Sequence, residues 1–233
     1  MGLDILFDTD GAVLTKPLVS LPVDAAREAN HRIANVLTLL SSSVRLQATN
    51  AARKTELTGS EVRLLLAKIA AQIEAAGQLH KWLCNGTAGK EMGLNEYLHK
   101  LCAGLEPFAS FVGPAELICQ VKGNATLRPD QVVPLALVIC EMISNSIKHA
   151  HPAGAPGVIS VYGSGEESFT MVEIADDGVG FPENFDPKTG GGLGLQLVRS
   201  VAKQLGATLV FDSDSLGLRF QLFLPKHPAH GLS

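Results

Sequence analysis

The sequence predicts an α+β protein: an N-terminal two-helix hairpin suited to a dimeric four-helix bundle, followed by an α/β sandwich. Three observations carry this expectation. Two long segments, one from Asp24 and one from Thr55 or Thr58, repeat apolar residues at spacings of three and four. A short stretch of small residues at 85–89 breaks that period. Beyond it, helical and strand-like runs alternate almost to the C-terminus.

The 233 residues suit one large domain or two small ones. With 46% hydrophobic but only 5% aromatic residues, the core must be built from Leu, Val, Ile and Ala. A formal charge of −4, with no Lys/Arg cluster, argues against nucleic acid as a partner. No run has the apolar length needed to span a bilayer, and the start MGLDILFDTDG lacks the basic and apolar stretches of a signal peptide. The expectation is a cytoplasmic chain without membrane insertion. Cys84, Cys102, Cys119 and Cys140 are scattered without metal-ligand spacing and read as reduced, mostly buried thiols.

Residues 1–22 are mixed, with turn signals at Asp10-Gly11, Pro17 and Pro22. Asp24 is the expected N-cap of the first long helix, along which Ile33, Leu37, Leu40 and Val44 form one stripe. After a turn around 50–59, Val62, Leu66, Ile69, Ile73 and Ala76 repeat the pattern. Two such helices form an antiparallel hairpin over 23–86, and pairing two copies buries the stripes, which predicts a homodimer. The alternative is a hairpin that packs against the rest of its own chain.

A second domain is expected over 90–228. Within it 94–105 looks helical, 117–121 extended and 130–150 strongly helical, with Pro134 near the first turn. Strands are expected at 158–162 and 169–174, a helix at 193–205, and a closing strand pair at 208–211 and 218–224 that turns at 213–217. The sheet is expected to be mixed or antiparallel.

Three segments of this domain carry chemistry. Glu141, Asn145 and Lys148 follow i, i+4, i+7 spacing and share a helix face, with Ile139, Ile143 and Ile147 opposite. An amide oxygen and a cation together suit a magnesium-bound triphosphate, although an ordinary amphipathic helix has the same pattern. Asp176-Asp177-Gly178-Val179-Gly180 follows a strand; its carboxylate can accept a ligand hydrogen bond and its glycines permit close approach, but Asp-Gly after a strand is commonly only a turn. Gly190-Gly191-Gly192-Leu193-Gly194-Leu195 opens a helix whose exposed N–H groups and dipole make a phosphate site. Alone, each signal is weak.

Their order resembles the Bergerat-type ATP domain shared by histidine kinases, gyrase, the heat-shock 90 chaperones and mismatch-repair MutL, over about residues 92–226. The resemblance implies ATP and Mg²⁺ as cofactors, with Asn145 as the metal ligand and Asp176 on the adenine amino group. It implies that Glu141, Lys148 and His149 share the site, that Gly178 and Gly180 shape the pocket, and that Gly190, Gly192, Leu193 and Gly194 border the phosphates. Residues 181–189 then form a short mobile lid, and His149 and His151 border the nucleotide.

In the first half, Glu28-Ala-Asn-His31-Arg32-Ile-Ala-Asn35 resembles the histidine-kinase subgroup with His-Arg-x-x-Asn on its dimerisation helix. Its relatives with a Trp-x-Glu signature in the nucleotide domain match less well, because the single Trp is Trp82. His31, Asn35, Thr38 and Ser42 form a polar stripe opposite the apolar one, so His31 is expected to face solvent. A neutral imidazole is a competent nucleophile near pH 7, which makes His31 the expected phosphoacceptor. Many such kinases carry an acid directly after the acceptor; here that position is Arg32, suited to phosphate, while Glu28 one turn back suits orienting the imidazole. By the same resemblance Asn35 orients water for dephosphorylating a partner. The implied partners are a second copy and the receiver domain of a response regulator; since 1–22 is too short for a sensor domain, input is expected from a separate sensor protein or from a removed segment. Two other readings remain: a histidine phosphotransfer protein with a degenerate nucleotide domain, and an anti-sigma-type serine kinase.

Overall fold

Long apolar stripes set the first half as helix, and the second half combines helical runs with strands of period-two alternation. The computed structural model describes residues 23–53, 55–84, 92–112, 115–152 and 155–226. Helix α1 (Val23–Ala52) and helix α2 (Gly59–Cys84) form the hairpin. Asp24 lies inside α1 and does not cap it. Thr58 caps α2: its hydroxyl accepts the Glu61 N–H at 3.2 Å, while Glu61 Oε2 accepts the Thr58 N–H at 2.9 Å. The expected joint at 85–89 lies outside the described residues.

The second half runs β1 (Met92–Gly93), α3 (Leu94–Val112), β2 (Ala115–Lys122), β3 (Thr126–Leu127), α4 (Pro129–His149), β4 (Gly157–Gly165), β5 (Phe169–Asp176), α5 (Leu193–Leu205), β6 (Thr208–Asp214) and β7 (Gly217–Pro225). Five strands form one sheet in the order β2-β4-β5-β7-β6; β2 and β4 are parallel and the remaining pairs antiparallel. The small ribbon β1-β3 stands apart from it. Inward residues Ile159, Val161, Val172, Ile174, Phe220, Leu222 and Leu224 meet α3, α4 and α5 in one core. Gly163 is needed there, because a Cβ would press into Leu94 and Leu98.

Helix α4 is the central beam. Pro129 occupies its first position, and Gln131 Oε1 accepts the Arg128 N–H at 3.0 Å to close its first turn. Pro134 lies just past the first turn, within the helix and buried. Among the described residues α4 alone is long and apolar enough to cross a membrane, and it is buried in this core. Helix α5 is capped by Gly192 before it and Gly206 after it, whose φ of 63° is the left-handed stop favoured by glycine.

The hairpin divides its apolar surface in two. Leu64, Ala67, Ala71 and Ala75 of α2 are buried where α2 lies on α3 and α4. Most of the stripe read as a bundle seam points outward instead: Leu37, Leu66 and Ile73 are 57%, 58% and 58% exposed. The hairpin thus packs against its own chain through one face and keeps a second apolar face free.

Candidate nucleotide site

Helix α4, the end of β5 and the start of α5 surround a cavity of about 520 Å³. Its wall brings together Glu141, Asn145, Lys148 and His149 of α4, Asp176, Gly180, and Gly192, Leu193 and Gly194 at the start of α5. Gly178 and Gly190 are not among the lining residues. A Cβ on Gly178 would run into Ala150, and one on Gly190 would stand 2.8 Å from the Asp186 carbonyl. Gly180 has a φ of 66°, which lets the chain turn into the cavity wall after the strand.

Asp176 ends β5 with a carboxylate held at fixed orientation. Ser146 Oγ donates to its Oδ2 at 2.6 Å, while the N–H groups of Gly178 and Leu218 donate to its Oδ1 at 3.2 and 3.3 Å. Lone pairs remain for a ligand amine. Its neighbour Asp177 faces away: it accepts from the Val158 N–H and pairs with His151 Nε2, both at 2.8 Å. Partial burial works against ionisation of Asp177, but the Val158 N–H and His151 outweigh it and hold the carboxyl below its usual range. His151 therefore does not border the cavity, contrary to expectation; Asp177 captures it, whereas His149 does line the wall.

The loop over 181–189 is folded down. Asp186 accepts from the Lys188 N–H at 2.9 Å and the Thr189 hydroxyl at 2.7 Å, which keeps its carboxyl below the usual range. Arg199 of α5 donates to the carbonyls of Pro187 and Gly190 at 2.9 and 2.7 Å, and Phe181 stacks on Phe185 with centroids 4.8 Å apart. Phe181 and Phe185 close one side of the cavity.

Glu141 is buried and pairs with Lys68 of α2 at 2.7 Å, both side chains being only 6–7% exposed. Sequence reasoning passed over Lys68, Ser146 and Arg199. Lys68 left one signal, a single cation inside the run Leu64-Leu65-Leu66-Ala67-Lys68-Ile69-Ala70-Ala71. Among the described residues there is no group of three or more His, Cys, Asp or Glu side chains that could hold a metal alone. Magnesium needs none, since it keeps several waters and takes phosphate oxygens besides one or two protein oxygens. The Asn145 amide and Glu141 carboxylate on one cavity wall fit that requirement.

On the hairpin, Asn35, Thr38 and Ser42 are exposed as expected, with Thr38 and Ser42 back-bonded to the carbonyls of Ala34 and Thr38. His31 stands in α1, but the side chains of Glu28, His31 and Arg32 lie outside the described residues.

Comparison with known proteins agrees with this layout. Residues 130–228 match the family described as histidine kinase-, DNA gyrase B-, and HSP90-like ATPase, and residues 28–108 match a histidine kinase family. The chain is 29% identical over 185 residues to the sensor histidine kinase PdtaS of Mycobacterium tuberculosis, covering 78% of this chain and 35% of that protein. It is 26% identical over 206 residues to the blue-light-activated histidine kinase 2 of Erythrobacter litoralis, covering 85% and 56% respectively. It thus spans between about a third and just over half of these relatives' length. The fold is shared with the histidine kinase domain of an Erythrobacter litoralis blue-light-activated histidine kinase, at a TM-score of 0.62 and 23% identity, over 87% of this chain and 94% of that one. The chain thus carries, in this order, a segment matching a histidine kinase family at 28–108 and an ATPase domain of the kind shared by histidine kinases, DNA gyrase B and HSP90 at 130–228.

Proposed function

We propose that this chain autophosphorylates His31 from ATP and passes the phosphoryl group to an aspartate in the receiver domain of a response regulator. One observation carries the reading: the cavity gathers Asn145, Asp176 and the glycines of α5 in a chain whose α1 bears His31. In this reading Asp176, oriented by Ser146, accepts a hydrogen bond from the adenine amino group. The N-terminus of α5 receives the phosphates, and Lys148 and His149 balance their charge. Asn145, with Glu141 beside it, would hold magnesium, which would supply screening of the triphosphate charge. A lone pair of the neutral His31 ring attacks the γ-phosphorus in line, the bond to the β-phosphate oxygen breaks, and ADP leaves. Glu28 orients the imidazole, Arg32 meets the phosphoryl oxygens, and Asn35 directs water when the regulator is dephosphorylated.

The division of labour follows the hairpin at 23–86 and the nucleotide domain at 90–228. Gln47 and Lys148 border one small cleft together with Lys68, so the nucleotide domain rests on the hairpin near Gln47. His31 lies sixteen residues back along α1, roughly 24 Å at helical rise. Phosphoryl transfer therefore requires the nucleotide domain to leave this seat, or to reach the hairpin of a second copy. The exposed Leu37, Leu66 and Ile73 face supports a homodimer through a four-helix bundle. A cytoplasmic location suits ATP use and the free thiols of Cys102, Cys119 and Cys140.

The test is incubation with γ-labelled ATP and Mg²⁺, comparing wild type with His31→Ala and Asn145→Ala. Acid-labile label on wild type that both variants lose is the expected result. Label persisting in His31→Ala would overturn the acceptor, and absence of both label and ATP binding would overturn the kinase reading.

A further inference from the structure

Buried ion pairs are costly to desolvate, and apolar side chains of similar volume commonly replace them without loss of stability. The Lys68–Glu141 pair, at 2.7 Å and almost sealed from solvent, joins the hairpin to the nucleotide domain where helical packing alone would serve. Its position is the second fact. Lys68 lies on the wall of the nucleotide cavity although it belongs to α2, and it shares that wall with Asn145, Gly192 and Gly194. The third fact concerns the other carboxylate oxygen. Glu141 Oε2 stands so close to the start of α5 that a Cβ on Gly194 would be 2.8 Å from it. One carboxylate thus touches the hairpin lysine with one oxygen and borders the N-terminus of the phosphate-receiving helix with the other.

A triphosphate arriving at that N-terminus brings several negative charges beside an existing one, and like charges in a partly dehydrated cavity repel strongly. Beyond any magnesium held at Asn145, a cation is needed between Glu141 and the terminal phosphate, and Lys68 already stands at Glu141. We propose that Lys68 is a phosphate ligand of the nucleotide site supplied by the hairpin, bridging Glu141 and the terminal phosphate of ATP. Through it α2 distinguishes triphosphate from diphosphate, because only ATP offers the oxygen the ammonium takes. This inference rests on the nucleotide-site reading above and assigns to that site a binding residue from outside its domain.

Calorimetric titration of the full chain with Mg-ATP and with Mg-ADP tests it. In wild type ATP is expected to bind more tightly than ADP. Lys68→Met should weaken ATP binding by about tenfold, the scale of one charge-assisted hydrogen bond, and leave ADP binding within about twofold. Lys68→Arg should keep most of the preference for ATP. Since Lys68→Met strands a buried carboxylate, the same comparison is made between Glu141→Gln and Lys68→Met/Glu141→Gln, in which neither stranded charge remains. Equal weakening of ATP and ADP by the lysine substitution, or no weakening of either, overturns the bridge while leaving the nucleotide site intact. Wild type that binds neither nucleotide overturns the site itself and this inference with it.

Discussion

Ser146 Oγ lies 2.6 Å from Asp176 Oδ2, so one turn of α4 carries both Asn145 on the cavity wall and the hydroxyl that orients the carboxylate of β5. Ser146 is buried, and its removal leaves Asp176, among the described residues, with the Gly178 and Leu218 N–H groups as donors. Ser146→Ala should cost about 1–3 kcal/mol of stability by urea unfolding, since the bond is made to a charged group. ATP affinity should fall about fivefold by calorimetry, less than for Asp176→Asn, because the carboxylate remains but loses its orientation. An unchanged ATP affinity would show that the adenine contact does not depend on this hydroxyl.

Gly194 is dictated by contact and not by backbone conformation. An added methyl would stand 2.8 Å from Glu141 Oε2, and that carboxylate is not free to retreat because Lys68 holds it. Gly194→Ala should therefore destabilise the fold by about 1–3 kcal/mol, the usual scale of overpacking. Gly194→Ala should cost less in a Glu141→Ala background than in wild type, and a double-mutant cycle by chemical unfolding measures that coupling. Strict additivity would mean that the two positions do not press on each other.

The outward apolar face of the hairpin predicts its own disruption. Leu66 and Ile73 are each more than half exposed on α2, with Leu37 and Val44 exposed on α1. Introducing charge there, as Leu66→Glu/Ile73→Glu, should convert a dimer into a monomer by sedimentation analysis without lowering helix content. If wild type itself sediments as a monomer, the face has another occupant.

Cys119 should be unusually reactive at neutral pH. The Cys102 thiol hydrogen-bonds to it, and His99 Nδ1 lies 4.0 Å from its sulfur; together these outweigh partial burial and lower its pKa to about 7. The same hydrogen bond, with burial, pushes Cys102 up, and burial raises Cys140 to about 12. Alkylation of Cys119 should be half-maximal near pH 7 by peptide mapping, with Cys140 unlabelled in the folded chain. Cys102→Ala should move the midpoint upward. A Cys119 midpoint above about pH 8, the ordinary thiol range, would refute the hydrogen bond's effect.

Where local pattern alone selects structure, the sequence was legible. The bounds 193–205 of α5 follow from a glycine run before it and Gly206 after it, and the two hairpin helices follow from their periodicity. The spacing of Glu141, Asn145 and Lys148 was enough to put them on one wall, because helical phase is a local property. His151 was misread since proximity in sequence to His149 says nothing of Asp177, which strand β5 delivers from 26 residues away. Lys68, Ser146 and Arg199 were invisible for the same reason. Their partners Glu141, Asp176 and the carbonyls of Pro187 and Gly190 are brought to them by packing of α2 on α4, α4 on β5 and α5 under its preceding loop. The sequence by itself determined which of the longer elements form, though not the short β1-β3 ribbon, and which residue types can serve a nucleotide. Tertiary structure decided which charges meet, and that the hairpin reaches into the cavity, because ion pairs and hydrogen bonds depend on distances of a few ångströms that no local period encodes.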